Sequence, residues 1–211
     1  PVALGQGAAA ADSARAFLEG NKSVFMDDAA AAAFRAVKVK TRPGRSYVRL
    51  QQTYSGIPVF GAEAVVQLNE AGQVEFALVD IQRDTEDLQD GRVTLSPTLS
   101  AAEAESRALA LARPRLTRSP GADAGAKVDP DAQVLGWLLG AEPSTHLEAR
   151  AASLMIFVPE VVGSGGDPRL VWQTAVSAVD NPAISELVLV DAHSGDITFH
   201  YPLAHAALNR L

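Results

Sequence analysis

The 211-residue sequence contains no cysteine, no excess of basic charge and no long apolar run. The lack of cysteine excludes disulfides and thiolate metal sites. The net charge of −7 argues against a nucleic-acid binder, which needs a basic face to displace counterions from phosphates. No apolar run approaches the roughly 20 residues that cross a bilayer, so we expect no membrane segment.

The first half of the sequence has the pattern of a helix followed by strands. Residues 8–19 are alanine-rich and predict a helix that ends at Gly20, and a second short helix is predicted near Asp27–Ala33. The turns "RPGR", "SGIP" and "NEAG" separate the strands and carry the glycine or proline that such turns need. The predicted strands are 34–41, 46–54, 62–69 and 73–82.

The second half repeats this plan after a predicted linker at 96–99. Ser100 and Glu103 have the spacing of a capping box, and Pro114 is expected to stop the helix that follows. The predicted strands are 133–139, 150–158, 169–178, 186–191 and 196–201. We therefore predict an α+β fold of two tandem modules, each a helix packed on a curved antiparallel sheet, with boundaries at 1–95 and 96–202 and a C-terminal tail at 203–211.

Catalytic chemistry is poorly represented. Three of the four histidines, His193, His200 and His205, fall in "HSGDITFHYPLAH", but their spacings of seven and five place no two imidazoles on one helical face. The fourth, His146, stands apart, and "VDAHSGDI" is better explained as a hairpin than as a carboxylate pair. The sequence has no G-x-S-x-G, phosphate loop or dinucleotide fingerprint. We predict that the chain is not an enzyme and binds no cofactor or metal.

The stretch "YVRLQQTYSGIPVFGAEAVVQL" is sharply specified, although it contains no catalytic side chain. Gly56 permits a backbone angle that other residues avoid, Pro58 fixes the next bend, and Gly61 allows a neighbouring chain to approach closely. The residues alone leave two interpretations open. The stretch is either a good hairpin turn or a rigid sheet corner that is presented to a partner.

The same stretch resembles the propeptide motif of fungalysins and thermolysin-like zinc metalloproteases, whose pattern is Arg-x-x-Gln-x-x-x-Gly-x-Pro-Val-x-Gly. Ala62 departs from the second glycine that is often found there. "RLVWQTAVSA" followed by "ELVLVDAHSGDI" looks like a PepSY domain, and "ALNRL" is similar to the junction with the peptidase. The resemblance implies cystatin-like modules. The matching positions are Arg49, Gln52, Gly56, Pro58, Val59 and Gly61.

The resemblance implies the prodomain of a secreted or periplasmic zinc metalloprotease that acts as an intramolecular folding chaperone and inhibitor. Its partner would be the cognate metallopeptidase catalytic domain, which alone would hold zinc, and not nucleic acid or a membrane. We expect Leu203, His205, Leu208 and Leu211 of the tail to face the peptidase cleft, with His205 near the open position of the zinc. The alternatives are a stand-alone secreted binding module, a trans-acting protease inhibitor, and a metal enzyme that uses the histidine-rich tail.

Overall fold

The structure is a computed structural model that describes residues 4–26, 32–84, 88, 93–116, 146–179 and 185–203. The described part contains three α-helices, nine strands and one 3-10 turn at Pro159–Val162. The helices are α1 (Leu4–Gly20), α2 (Lys22–Phe25) and α3 (Ala101–Leu116). The strands are β1 (Ala32–Arg42), β2 (Arg45–Tyr54), β3 (Ile57–Asn69), β4 (Val74–Asp80), β5 (Leu147–Ala149), β6 (Ser153–Phe157), β7 (Arg169–Ala178), β8 (Ser185–Asp191) and β9 (Ile197–Pro202).

The chain divides into two compact units. The first unit comprises Pro1–Leu95 and Met155–Arg169, and the second comprises Ser96–Leu154 and Leu170–Leu211. The segment Met155–Arg169 therefore groups with the first unit, although the sequence places it inside the second predicted module. The α+β class is confirmed, since few helices accompany a large amount of sheet.

In the first unit, α1 packs on one face of an antiparallel sheet in the order β1-β2-β3-β4. Ala10, Ala14 and Leu18 recur every four residues, so they form one buried stripe along the helix. The stripe contacts side chains that alternate along the strands, and burial of Leu18 alone contributes about 2 kcal/mol. The strand residues of this core include Phe34, Val48, Leu50, Ala64, Val66 and Leu68.

The second unit pairs its strands in the order β5-β7-β8-β9, all antiparallel, and packs them against α3. Ala104, Ala108 and Ala112 again recur every four residues and are fully buried against strand residues that include Val176, Val188 and Val190. Alanine leaves room for the helix to lie close to the sheet. The Ser100–Glu103 capping box is confirmed, because the Glu103 carboxylate accepts hydrogen bonds from both Ser100 N (2.9 Å) and Ser100 Oγ (2.6 Å).

Three sequence predictions are wrong in detail. The short second helix lies at Lys22–Phe25, and Ala32 and Ala33 open β1 because Ala32 is buried and paired with Tyr54. Strand β3 begins at Ile57 and not at 62. Helix α3 runs through Pro114 to Leu116, since a proline near a helix end removes only one backbone hydrogen bond.

The predicted linker 96–99 is fixed to the second unit. Thr98 N and Leu99 N both donate to Ala192 O, at 3.0 and 2.8 Å, and the indole of Trp172 donates to Leu99 O at 2.8 Å. The strand predicted at 150–158 is shorter than expected, since β6 runs from Ser153 to Phe157, and the separate strand β5 at Leu147–Ala149 was not predicted. The strand predicted at 133–139 lies outside the described residues.

Candidate partner-binding corner of the first unit

The hairpin between β2 and β3 turns through two residues, Ser55 and Gly56. Both have positive φ, 49° and 80°, which is the geometry of a type I′ turn. The twist of this turn matches the twist of the flanking strands, and a glycine at the second position adopts the angle without cost. The predicted role of Gly56 in the turn fits this geometry, but Pro58 does not make a bend.

Pro58 lies inside β3, paired with Thr53, where it begins an irregular stretch of the strand. The register moves from Thr53↔Pro58 to Gln51↔Glu63, so four residues of β3 lie opposite the single residue Gln52. Such a large bulge leaves backbone carbonyls without ladder partners. The strand tolerates a proline here because the regular ladder is already interrupted.

The side chain of Gln51 satisfies these carbonyls. Its Nε2 donates to Val59 O at 2.7 Å and to Ala62 O at 2.8 Å, at the two ends of the bulge. Gln51 is buried, so these bonds replace those that water would make. The bulge is therefore a stable feature of the strand, and no sequence pattern pointed to this role of Gln51.

At the bulge, strand β3 changes its second neighbour. Residues Glu63–Leu68 pair with β4, whereas Val59 pairs in parallel with Ile156 of β6. Val59 and Ile156 are fully buried, and the rings of Phe60 and Phe157 meet edge to face at 5.8 Å. The predicted position Val59 is thus a core residue of the first unit.

Gly61 lies where the 3-10 turn approaches the bulge. Its φ is +75°, and a β-carbon at this position would lie 2.8 Å from Cγ1 of Val161. The sequence predicted that a neighbouring chain approaches Gly61, whereas the segment that approaches it here comes from about 100 residues further along the same chain. Gly61 and Val161 are both exposed, so this contact is part of the surface of the unit.

Gln52 faces the opposite side of the sheet and is buried. Its amide joins β2 to the end of the first sheet, because Nε2 donates to Gln82 O at 3.0 Å and Oε1 accepts from Gln82 N at 2.9 Å. Gln52 therefore stabilises the unit and is not available to a partner. Arg49, in contrast, is half exposed, and its guanidinium lies 3.5 Å from the Glu63 carboxylate.

The β2–β3 turn and the bulge of β3 together form a corner of the sheet. A small cavity lies beside this corner, within the first unit. It has a volume of about 40 Å³ and is lined by residues that include Gln82, Asp84, Leu88, Val158 and Glu160. This volume suits a water molecule and not a larger ligand. The corner has the exposed surface and the fixed backbone of a binding element, and it brings together no nucleophile and base.

The histidines do not form a metal site within the described residues, where no group of three or more His, Asp or Glu side chains is placed to hold an ion. His193 is half-buried, and its Nε2 lies 3.0 Å from Ser96 O. His200 Nδ1 lies 2.7 Å from a carboxylate oxygen of the buried Glu186 on β8. His146 is exposed near Glu148.

The hairpin prediction for "VDAHSGDI" is confirmed. The Asp191 carboxylate accepts from His193 N and Ser194 N, at 2.8 and 2.9 Å, and Gly195 has a φ of +78°. The carboxylate therefore caps a tight turn. Leu203 follows β9 and donates from its backbone to Ser185 O at 2.8 Å, whereas the other tail positions His205, Leu208 and Leu211 lie outside the described residues.

Comparison with known protein families finds a match within the first unit. The family model of the Fungalysin/Thermolysin Propeptide Motif matches residues 32–78, which are β1, β2, β3 and most of β4. These residues thus carry a protease propeptide motif of the thermolysin-like class. The match covers less than a quarter of the chain, and no curated protein matches the sequence. No helix in the described ranges is long and apolar enough to span a membrane.

Proposed function

We propose that the chain is the prodomain of a secreted thermolysin- or fungalysin-like zinc metallopeptidase, and that it acts as intramolecular chaperone and inhibitor of that enzyme. The observation that carries this proposal is that the family match at residues 32–78 contains the β2–β3 turn and the bulge of β3, whose backbone is fixed and partly exposed. The type I′ turn and the hydrogen bonds of Gln51 to the bulge fix the backbone of this surface. A surface with a fixed backbone loses little conformational entropy on binding. Such a surface suits both the template and the inhibitor role.

The second unit would be a PepSY-like, cystatin-like module that accompanies the first. In its favour, α3 packs on the antiparallel strands β7 and β8, and the stretches that resemble PepSY form β7, β8 and the β8–β9 turn. The zinc would belong to the peptidase and not to this chain. The solvent-exposed corner and the acidic net charge of −7 are compatible with an extracellular binding module.

The test is refolding of the denatured cognate thermolysin-like peptidase domain, with and without the separately purified chain. We expect the chain to raise the yield of folded peptidase and then to inhibit it, since a protein that binds the native state stabilises it by mass action. A folded chain that changes neither the yield nor the activity would contradict the proposal. Inhibition of unrelated peptidases without any effect on refolding would favour a trans-acting inhibitor.

The tail has its own test within this proposal. Leu203 is tied to Ser185, so truncation should start at residue 204 in order to leave the second unit intact. Zinc peptidases bind peptides as an extended strand added to a sheet edge, and a tail with Leu208 and Leu211 suits such a cleft. We expect the truncated chain to melt like the wild type and to inhibit more weakly. Equal inhibition constants would assign inhibition to the two units alone.

A further inference from the structure

Charge is distributed very unevenly in this chain. The hairpin of β1 and β2, residues 32–54, contains six Lys and Arg residues and no Asp or Glu. Since the whole chain carries −7 and the hairpin +6, the remaining residues carry −13. The net charge of the whole chain conceals this concentration.

The antiparallel register places some of these cations directly opposite each other. Lys38 is paired with Arg49, and Arg42 with Arg45. Directly opposite residues have β-carbons about 5 Å apart, and like charges at that distance destabilise a sheet. Sequences usually avoid such pairs, so two of them in one hairpin indicate a role other than stability.

Among the described residues, neighbouring carboxylates compensate only the β2 members of these pairs. Arg49 lies 3.5 Å from Glu63, and the Arg45 guanidinium donates to Glu75 at 2.8 Å. The Gln67 amide and Arg45 both hydrogen-bond this Glu75 carboxylate and lower its pKa. On β1, the cations Arg35, Lys38, Lys40 and Arg42 are all exposed and have no acidic partner among the described residues.

An apolar patch lies on the same face of the sheet. Because Val48 and Leu50 point into the core, Tyr47 and Arg49 point to the opposite face. Across the strands, Phe76 pairs with Gln67, which pairs with Tyr47, and Leu78 pairs with Val65. Phe76 and Leu78 are 58% and 60% exposed, which is high for side chains of this size.

We propose that this face of the β1–β4 sheet docks an acidic surface of the cognate peptidase domain, a proposal that rests on the proposed function. Phe76 and Leu78 provide an apolar area on β4, and Lys38, Lys40 and Arg49 provide a cationic area on β1 and β2, so the face combines the apolar and the charged contacts that protein interfaces use. Carboxylates of the partner relieve the Lys38–Arg49 repulsion on binding. A long polyanion fits less well, because the rest of the chain is strongly acidic.

The first experiment compares the wild-type chain with the double variant Lys38→Gln/Lys40→Gln as inhibitors of the cognate peptidase domain. The matched control is Arg83→Gln/Arg150→Gln, which removes the same charge at two other exposed positions. At about 0.05 M salt we expect the inhibition constant of the first double variant to rise roughly fivefold or more. Raising the salt concentration should reduce the difference in inhibition constant between the double variant and the wild type. The control should inhibit like the wild type.

A second variant separates loss of docking from loss of folding. Lys38→Glu places a carboxylate opposite Arg49, so it should raise the unfolding midpoint. The same variant should inhibit the peptidase more weakly than the wild-type chain does. Lowered stability together with weaker inhibition would instead indicate a structural role for Lys38. The aromatic side of the patch is tested by Phe76→Ser, which should weaken inhibition at every salt concentration.

The outcomes distinguish this proposal from the function on which it rests. A wild-type chain that does not inhibit the peptidase overturns both. A wild-type chain that inhibits no better than Lys38→Gln/Lys40→Gln, with the same salt dependence, overturns only the docking surface. Binding of the wild type to a short DNA duplex or to phosphatidylserine vesicles, lost in the double variant while inhibition is unchanged, would show that the occupant is another polyanion.

Discussion

Gln52 and Gln82, thirty residues apart, are joined by a reciprocal pair of hydrogen bonds between the side-chain amide of Gln52 and the backbone N–H and C=O of Gln82. Gln52 Nε2 donates to Gln82 O at 3.0 Å, and Gln82 N donates to Gln52 Oε1 at 2.9 Å. A glutamine amide has both the donor and the acceptor that this arrangement needs. The pair fixes the chain as it leaves the first sheet.

Replacing Gln52 by leucine should therefore destabilise the protein by about 2–4 kcal/mol, because two backbone groups of Gln82 lose their partners. The measurement is the urea midpoint of unfolding. Gln73→Leu, at an exposed turn position, is the control and should shift the free energy of unfolding by less than about 0.5 kcal/mol. Equal midpoints for Gln52→Leu and wild type would show that water replaces the amide.

At the β2–β3 turn, Gly56→Val should cost about 2 kcal/mol or more, because its φ of +80° is unfavourable for a branched side chain. No atom lies within 4 Å of the position a β-carbon would take, so the cost is conformational and not steric. Gly56→Asn is the matched variant and should lose less than about 1 kcal/mol, since asparagine tolerates this turn position. A lower melting temperature for Gly56→Asn than for Gly56→Val would contradict this explanation.

At Gly61, an added methyl group should lower the free energy of unfolding more than it does at Gly56. Gly61→Ala should cost about 1–2 kcal/mol for its φ and a further 1–3 kcal/mol for the contact with Val161. The double-mutant cycle with Val161→Ala isolates the second part, because only the steric cost disappears when Val161 is shortened. Additive free energies of unfolding would mean that the 3-10 turn moves aside freely.

The capping box of α3 predicts a dependence on pH. Hydrogen bonds from the Ser100 hydroxyl and backbone lower the pKa of Glu103 below its ordinary 4.5, so its stabilising contribution is present above that value and is lost as the pH falls through the folded-state pKa. Ser100→Ala should cost about 1 kcal/mol at neutral pH, and the cost should shrink in acid.

The control for this prediction is Ser106→Ala on the same helix. The Ser106 hydroxyl donates to Ala102 O within the helix, so alanine there should be neutral or slightly stabilising at every pH. Melting temperatures between about pH 3 and pH 7 provide the comparison. A constant difference between Ser100→Ala and wild type over that range would show that Glu103 titrates independently of the cap.

The elements that could be predicted from sequence are those that short-range chemistry specifies. Ser100 and Glu103 lie three residues apart, and Gly56 and Asp191 lie within the turns that they shape. Strand β7 was predicted with its observed limits because "RLVWQTAVSA" lies between two clear breaks. The basic hairpin could also have been found, since 32–54 lacks acidic residues in the sequence itself.

The features that could not be predicted depend on partners far along the chain. Gln51 is important only because the bulge directs two carbonyls at its amide, and no local pattern specifies a bulge of that size. The approach of Val161 to Gly61 joins positions about 100 residues apart. The pairing of Gln52 with Gln82 depends in the same way on the path of the chain after β4.

The division of the first unit between two stretches of chain bears on the order in which the protein is made. Val59 and Phe60 emerge from the ribosome early, but their partners Ile156 and Phe157 are synthesised only after the whole of α3. Until residue 169 is available, the nascent β2–β3 hairpin has an apolar edge with nothing to cover it. A fragment ending at Leu95 would retain that edge permanently, and for this chain aggregation during biosynthesis is therefore a hazard of truncation at the apparent module boundary.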